Sequence, residues 1–283
     1  MRYIDKSAHL QAGHDITDQY LDSTCKVDDG DGSYHYQNVD YDGSFGRTGA
    51  KNAMAQLALA NQDSFCCYCM RDLHLQNQDV TLEHIIPQSC DGAKFNYYVG
   101  LNVPPLTADN MVRTGDFTGV ENVKVPPRPH TVTFENLVAS CDGTFPDKTG
   151  SSQCCNHKRG QKDVYPMFYV TSVGDEITYM EDGSMQPSVG CVCQAEFRHT
   201  IDNVRLNCQN LKDIRRLWHL FDCEEFQVLV SCLDDRNLRN RTLITVLFKE
   251  LDLVERDSDI LTKFMKDDYW KTFLMYHWFH HKI

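Results

Sequence analysis

Two groups of cysteines constrain this chain more than any other feature of its sequence. They are Cys66-Cys67-Tyr68-Cys69 and, downstream, Cys141 with the adjacent pair Cys154-Cys155. Two cysteines separated by two residues can hold one tetrahedral ion as thiolates, and two further ligands must then come from elsewhere. Cys66 and Cys69 therefore predict one half of a four-cysteine zinc site, with Cys141 and Cys155 as the best second half. A structural metal of this kind pins both ends of a small motif that lacks a large core.

The sequence leaves the ligand set of this site open. Cys154 can replace Cys155, whereas Cys67 can replace Cys66 only with strained geometry. The alternative to a metal is a set of buried free cysteines, which is the common fate of isolated ones. We favour zinc because the two groups lie in the right order around the pair Glu83-His84.

The composition argues against a secreted disulfide protein. The chain has 283 residues and an odd number of cysteines, 13. It contains no long apolar run, so neither a signal peptide nor a membrane span is predicted. We expect reduced thiols and a cytoplasmic protein with no membrane association.

The hydrophobic pattern predicts an α+β fold in three segments. Residues 1–48 are acidic and rich in turn formers, which predicts an irregular N-terminal arm. Residues 49–165 contain the cysteines and the pair Glu83-His84, and form the expected catalytic domain. Residues 166–283 predict a β-hairpin followed by helices.

Within residues 49–165 the pattern is helix, strand, insertion, strand, helix. The Ala-rich residues 49–62 have helical spacing, residues 80–84 and 137–140 predict short strands, and a helix starts at Asn156. Residues 88–131 form a long insertion rich in turn formers. A structureless stretch of that length is unusual and tends to be functional or partner-facing.

The C-terminal third has its own predicted elements. The hairpin pairs residues 168–171 with 176–179 across Gly174-Asp175. Helices are predicted from Asn207 onward and over two later stretches, 242–254 and 259–279. The aromatic stretch 269–279 predicts either an anchor for a partner protein or packing on the chain's own helices.

Glu83 and His84 are the candidate catalytic pair. Neighbouring side chains on a strand face opposite ways, so the two can share a site only at a strand end, and Ile85-Ile86-Pro87 is consistent with such an end. His84 can deprotonate a water. Glu83 offers a hard oxygen to Mg²⁺ or Mn²⁺, and Asn156 a second oxygen through its amide.

Other polar residues complete the candidate site. Asn136 is expected to cap backbone groups and to hold the loop that positions His84. Lys158, Arg159 and Lys162 form a basic cluster that predicts a phosphate clamp, with a solvated helix face as the alternative. The net charge of -12 is unfavourable for binding a polyanion, so a local basic surface or another subunit is needed.

These residues resemble the HNH endonucleases, the ββα-metal nucleases. Leu82-Glu83-His84-Ile85-Ile86-Pro87 is similar to the segment with the catalytic histidine in the HNH domain of the CRISPR RNA-guided nuclease. The resemblance implies His84 as general base, Glu83 and Asn156 as ligands of a catalytic metal, and Asn136 as the central structural residue. Glu83 departs from the usual Asp, and Asn156 stands where the last His often lies.

Residues 49–220 resemble one branch of this family, the PtuB-like nucleases of Septu and retron anti-phage systems. The resemblance rests on the widened second cysteine pair, on the Cys-Asn-x-Lys-Arg-Gly run that ends it, and on Thr200–Asn207. It implies an SMC-like, ABC-type ATPase (PtuA-like) as partner and DNA or structured RNA as substrate. Two other functions remain possible: a non-catalytic zinc-knuckle adaptor of an ATPase complex, and a stand-alone restriction-like nuclease. The latter needs a basic DNA-binding domain that the sequence lacks.

Overall fold

The computed structural model describes residues 1–73, 80–117, 127–147, 153–221, 254–264 and 266–276. The chain forms two compact units that alternate along the sequence. The first unit comprises Met1–Cys67, Leu73–Cys141 and Gln161–Gly174, and the second comprises Tyr68–Asp72, Asp142–Gly160 and Asp175–Ile283. Helices and small sheets occur together, so the fold is α+β as predicted.

The first unit contains the elements up to the second cysteine group. Its helices are α1 (Leu10–Tyr20), α2 (Ala50–Asn61), α3 (Gly92–Val99) and α4 (Thr114–Phe117), and its strands are β1 (Lys26–Asp28), β2 (Tyr34–Tyr36), β3 (Val80–His84), β4 (Met111–Val112), β5 (Arg128–Pro129) and β6 (Leu137–Cys141). The strands form three separate two-stranded sheets, β1-β2, β3-β6 and β4-β5, of which the last is parallel.

The β3-β6 pair is the centre of the first unit. The strands are antiparallel, with Val80 opposite Cys141 and His84 opposite Leu137. All residues of β6 are buried. The side chain of Gln62, just after α2, donates to the Ala139 carbonyl and accepts from the Ala139 N–H, both at 2.8 Å. This amide therefore pairs with β6 as a neighbouring strand would, and the predicted strands and α2 are confirmed.

The N-terminal 48 residues are not an irregular arm, and that prediction is wrong. They contain α1 and the β1-β2 hairpin, whose turn, residues 29–33, contains Asp29 and Asp31. The buried residues of α1 are Gly13, Thr17 and Tyr20. Only one of these three, Tyr20, is a large hydrophobic residue, while Leu10 and Ile16 pack against the same core but stay partly exposed. The Thr17 hydroxyl instead donates to the Val132 carbonyl at 2.9 Å.

Buried charges also hold α1 and the preceding residues to the segment before β6. The His14 Nε2 and Glu135 Oε1 atoms are 2.6 Å apart, and the Lys6 Nζ donates to the Leu137 carbonyl at 2.6 Å. Burial lowers the pKa of Lys6 to about 7. Burial opposes the charge on Glu135 as well, but hydrogen bonds from His14 and Thr133 outweigh it, and the pKa of Glu135 is lowered.

A substitution at Gly13 tests whether α1 is docked. A Cβ at this position would overlap the Phe134 side chain. We expect Gly13→Ala to destabilise the protein by about 1–3 kcal/mol, since the overpacking outweighs the helix propensity of alanine. Gly92→Ala is the control, because nothing lies within 4 Å of a Cβ there. Urea unfolding measures both, and equal stability of the two variants would mean that α1 is not docked.

The insertion at 88–131 is not structureless either. It contains α3, β4, α4 and β5, while residues 118–126 lie outside the described part. Asp91 caps α3 by accepting from the Lys94 N–H at 2.8 Å. Several short elements separated by turns resemble an irregular stretch in a sequence pattern, and for that reason the prediction failed here.

The second unit is mainly helical. Its elements are α5 (Cys155–Arg159), the hairpin strands β7 (Ile177–Tyr179) and β8 (Met185–Pro187), and the helices α6 (Gln194–Asn203), α7 (Gln209–Phe221), α8 (Val254–Phe264) and α9 (Asp267–Leu274). The predicted hairpin partner is wrong, because residues 167–169 form a 3₁₀ turn and β7 pairs instead with β8. The predicted helix from Asn207 is confirmed, with its start at Gln209. Residues 242–253 lie outside the described residues.

The aromatic C-terminal residues pack within the second unit. Trp270, Phe273 and Tyr276 are buried, and the rings of Trp218 and Phe273 stack with centroids 4.6 Å apart. The sequence predicts either an anchor for a partner protein or packing on the chain's own helices, and these three residues pack on the chain's own helices. Residues 277–279 lie outside the described part. None of the described helices combines the length and apolar character needed to span a membrane.

Candidate functional site

Four cysteines come together as the sequence predicts. The Sγ atoms of Cys66, Cys69, Cys141 and Cys155 all lie within 4.8 Å of one another, and all four residues are buried. A tetrahedral ion with bonds of about 2.3 Å to sulfur separates its ligands by about 3.8 Å. This buried group can therefore hold a metal such as zinc. Cys154 and Cys67 are not members of it.

The backbone around the cysteines supports a metal site. The Cys141 N–H donates to the Cys66 Sγ at 3.3 Å, and the Tyr276 hydroxyl lies 3.7 Å from the Cys69 Sγ. Donors of this kind stabilise thiolates and orient metal ligands. Met70 and Cys155 have φ values of 62° and 50°. Such conformations are strained for residues other than glycine and persist where the surroundings enforce them.

His84 is oriented by a backbone carbonyl. It is the last residue of β3, and its Nε2 lies 2.8 Å from the Thr131 carbonyl oxygen. A carbonyl oxygen only accepts, so Nε2 has the proton, and the acceptor lone pair of the neutral ring is on Nδ1. The ring also packs edge-on against Tyr41, with centroids 4.4 Å apart. Both contacts fix the ring in one orientation.

Glu83, the residue before His84, and Tyr41, which contacts the His84 ring, are both buried. Glu83 is 5% exposed. Burial, and then the negative charges of Asp42 and Glu83, raise the pKa of Tyr41 well above its usual value. The Tyr41 hydroxyl is buried and has no hydrogen-bond partner within the described part of the chain. An orphaned buried hydroxyl commonly marks the position of a bound water or ion.

Asn136 has the loop-holding role that the sequence predicts. It is fully buried, and its Oδ1 accepts from the Ile86 N–H at 2.6 Å. Its Nδ2 donates to the carbonyls of Ile86 at 3.0 Å and His130 at 2.8 Å. One side chain thus ties the loop after His84 to the segment whose next carbonyl, that of Thr131, orients the His84 ring.

Thr114, on α4 of the insertion, also holds His130 and Thr131 in place. The Thr114 N–H donates to the His130 Nδ1 at 3.0 Å, and the Thr131 N–H donates to the Thr114 hydroxyl at 3.2 Å. Because its Nδ1 accepts a hydrogen bond, His130 is neutral, and burial lowers its pKa to about 4. Its Nε2 proton points towards the Pro87 carbonyl and the Cys90 Sγ, at 3.3 and 3.4 Å. His130 is therefore a donor to Cys90 and does not activate it as a nucleophile.

Tyr41, Thr114, His130 and Thr131 were not identified from the sequence. The available signal was weak: Pro129-His130-Thr131 lies a few residues before Asn136 and so close to the start of β6. Thr131 orients His84 through its main-chain carbonyl, and a pattern of side chains in the sequence cannot reveal a main-chain contact.

The remaining predicted residues lie around α5. Asn156 and Lys158 are half-buried and Lys162 is exposed beyond the helix. Arg159 is only 2% exposed, so the predicted phosphate clamp is wrong for this residue. A guanidinium that is removed from water does not attract a polyanion from solution. The proximity of Asn156 to Glu83 stays a prediction.

No protein-family model matches the chain, and no curated protein has significant similarity to it.

Proposed function

We propose that this chain is an HNH-type, metal-dependent endonuclease that hydrolyses phosphodiester bonds of nucleic acid. The observation that carries the proposal is the His84–Thr131 hydrogen bond at the end of β3. This hydrogen bond makes Nδ1 the basic nitrogen of the ring. Asn136 holds the two segments that the bond joins, by accepting from the Ile86 N–H after His84 and donating to the His130 carbonyl before Thr131.

His84 would act as general base. Its Nδ1 takes a proton from the water that attacks phosphorus, while the Nε2–H remains bonded to the Thr131 carbonyl, which stabilises the imidazolium that forms. The bond from phosphorus to the 3′ oxygen breaks, and the leaving oxygen takes a proton from solvent water. The products would then have a 5′-phosphate and a 3′-hydroxyl.

The catalytic metal in this proposal is Mg²⁺ or Mn²⁺. Glu83 and Asn156 would hold it, and when bound it neutralises charge on the scissile phosphate. Two features of this chain support the assignment: the carboxylate of Glu83 is buried, and the buried hydroxyl of Tyr41 has no hydrogen-bond partner within the described residues. The four-cysteine group would hold a structural Zn²⁺, distinct from the catalytic ion.

The same proposal includes a partner, an SMC-like or ABC-type ATPase (PtuA-like), in an anti-phage defence complex. The supporting observation is charge: 40 acidic residues oppose 28 basic ones. The burial of Arg159 removes one cation from the short basic cluster. Useful affinity for nucleic acid at physiological salt normally needs several phosphate contacts.

We expect the isolated chain to bind nucleic acid weakly, with affinity that falls steeply as salt rises, and to bind more tightly with the ATPase. Fluorescence anisotropy of labelled DNA and RNA from low to physiological salt measures this, with and without the co-purified partner. Tight binding and efficient cleavage by the lone chain at physiological salt would show that no partner is needed.

The activity itself is tested with the purified, zinc-loaded chain and its co-purified partner. End-labelled DNA and structured RNA are incubated with Mg²⁺ or Mn²⁺, and with Ca²⁺ or no added ion as controls. We expect cleavage of at least one substrate only with Mg²⁺ or Mn²⁺. Cleavage that is the same without either ion would contradict the proposed metal dependence.

A further inference from the structure

Helix α1 holds the segment that leads into β6 at more than one place along its length. The Arg128 guanidinium donates two hydrogen bonds to the Asp18 carboxylate, at 2.8 and 2.7 Å. Four residues further on, the Val132 carbonyl accepts from the Thr17 hydroxyl at 2.9 Å. The start and the middle of this segment are therefore bound to adjacent residues of one helix.

Burial makes these contacts difficult to replace. The side chain of Arg128 is only 6% exposed, and Thr17 is fully buried. Glu135, which meets His14 of the same helix, is fully buried as well. Water cannot easily take the place of a lost partner at such positions, and a buried charge without a partner is unfavourable. If α1 loses its hold, we therefore expect the segment to move and not to stay where it lies.

The His84 ring depends on the middle of this segment. Its Nε2 proton is bound to the carbonyl of Thr131, and the next residue is Val132, which Thr17 holds. The Thr131 carbonyl and the Val132 N–H belong to one planar peptide unit, and that N–H donates to the Pro129 carbonyl at 3.1 Å. A rotation of the main chain at Val132 therefore turns the Thr131 carbonyl away from the ring.

Contacts from other elements act on the preceding residues. Asn136 donates to the His130 carbonyl, and the Thr114 hydroxyl accepts from the Thr131 N–H. Both contacts lie on the N-terminal side of the carbonyl that orients the catalytic histidine, whereas the Thr17 contact lies on its C-terminal side. Helix α1 therefore fixes the side of this carbonyl on which the other two contacts do not act.

We propose that Thr17 and Asp18 of α1 are positioning residues for His84. They hold the Thr131 carbonyl where it binds the Nε2 proton, and so they keep Nδ1 as the basic nitrogen that faces the attacking water. The effect on cleavage rests on the proposed nuclease function, whereas the effect on the ring does not. A misplacement of about 1 Å far from the reacting atoms can cost on the order of 10²-fold in rate, so detachment of α1 would switch the site off.

Two variants of the full chain test this role. Thr17→Val removes the hydroxyl and keeps the branched shape of the side chain, and Asp18→Asn removes the charge that pairs with Arg128. The matched control is Asp15→Asn on the same helix, because Asp15 is exposed and its described hydrogen bond is to Gln11. Zinc content and circular dichroism establish that each variant is folded.

The first readout is NMR of uniformly ¹⁵N-labelled protein in buffer without Mg²⁺ or Mn²⁺. A ring N–H proton that is bound to a carbonyl exchanges slowly with water, so the His84 Nε2–H signal reports the contact, and His84→Gln assigns it by its absence. The main-chain N–H groups of β6 in the same samples report opening of the structure around them. The second readout is cleavage by the zinc-loaded chain with its co-purified partner, as separate kcat and KM values.

We expect the wild type and Asp15→Asn to show the Nε2–H signal, and Thr17→Val and Asp18→Asn to lose it while the β6 N–H groups stay protected. Cleavage by these two variants should fall about tenfold or more in kcat, with little change in KM.

Three results would overturn the inference, even for a chain that cleaves. The first is a signal that persists in both variants, the second is a signal that fades only together with β6 protection, and the third is a wild-type kcat in variants that have lost it. Selective loss of the signal in a chain that cleaves nothing would support the positioning of the ring by α1 and reject the nuclease.

Discussion

Replacing His84 with alanine is expected to lower metal-dependent cleavage about 10²- to 10⁴-fold, which is the usual contribution of a general base. The reason is the hydrogen bond from Nε2 to the Thr131 carbonyl, which leaves Nδ1 as the base. Zinc content and thermal unfolding should remain close to those of the wild type, because the ring is only half-buried. Initial cleavage rates at saturating Mg²⁺ or Mn²⁺ measure the effect.

The matched control is His199→Ala. His199 is exposed on α6, and its described hydrogen bond is to Asn203. This variant should cleave at the wild-type rate. If the two histidine variants lose activity equally, or if neither does, His84 is not the base.

The second large effect is expected for Cys69→Ser. Removing one of four thiolates should lower the zinc stoichiometry and destabilise the fold, since the free energy of metal binding is part of the free energy of folding in such motifs. Elemental analysis and thermal unfolding of the purified variant measure both effects.

Cys67→Ser is the control for this variant. Cys67 is buried in the same turn, but it is not a member of the four-cysteine group. It should therefore keep the wild-type zinc content. Wild-type protein without zinc after expression in zinc-supplemented medium would refute the site. Equal zinc loss in both variants would mean that the ligand set is misassigned.

The sequence predicts best those features that depend on short-range spacing. The strands at 80–84 and 137–141, the helix over residues 50–61 and the four clustered cysteines follow from local patterns of apolar residues and thiols. The sequence favoured Cys155 as the partner of Cys141 and left Cys154 as the alternative; the buried group contains Cys155.

Other features depend on contacts between distant parts of the chain. Helix α1 packs through Gly13 and Thr17, and the orientation of His84 depends on a main-chain carbonyl 47 residues away. Neither contact can be recognised from the pattern of apolar residues in the sequence. Arg159 lies in a basic run that is typical of a solvated face, yet its burial shows that charge in a sequence does not fix exposure.

The most direct test of the proposed activity is to map the product ends made by the zinc-loaded wild-type chain, with its co-purified partner, in Mn²⁺. Ligation and phosphatase sensitivity report the two ends. The proposed mechanism predicts 5′-phosphate and 3′-hydroxyl ends, and their disappearance in His84→Ala prepared with equal zinc content. Ends of the opposite kind, or no cleavage of DNA or RNA by a folded, zinc-loaded protein, would contradict it and favour a non-catalytic adaptor.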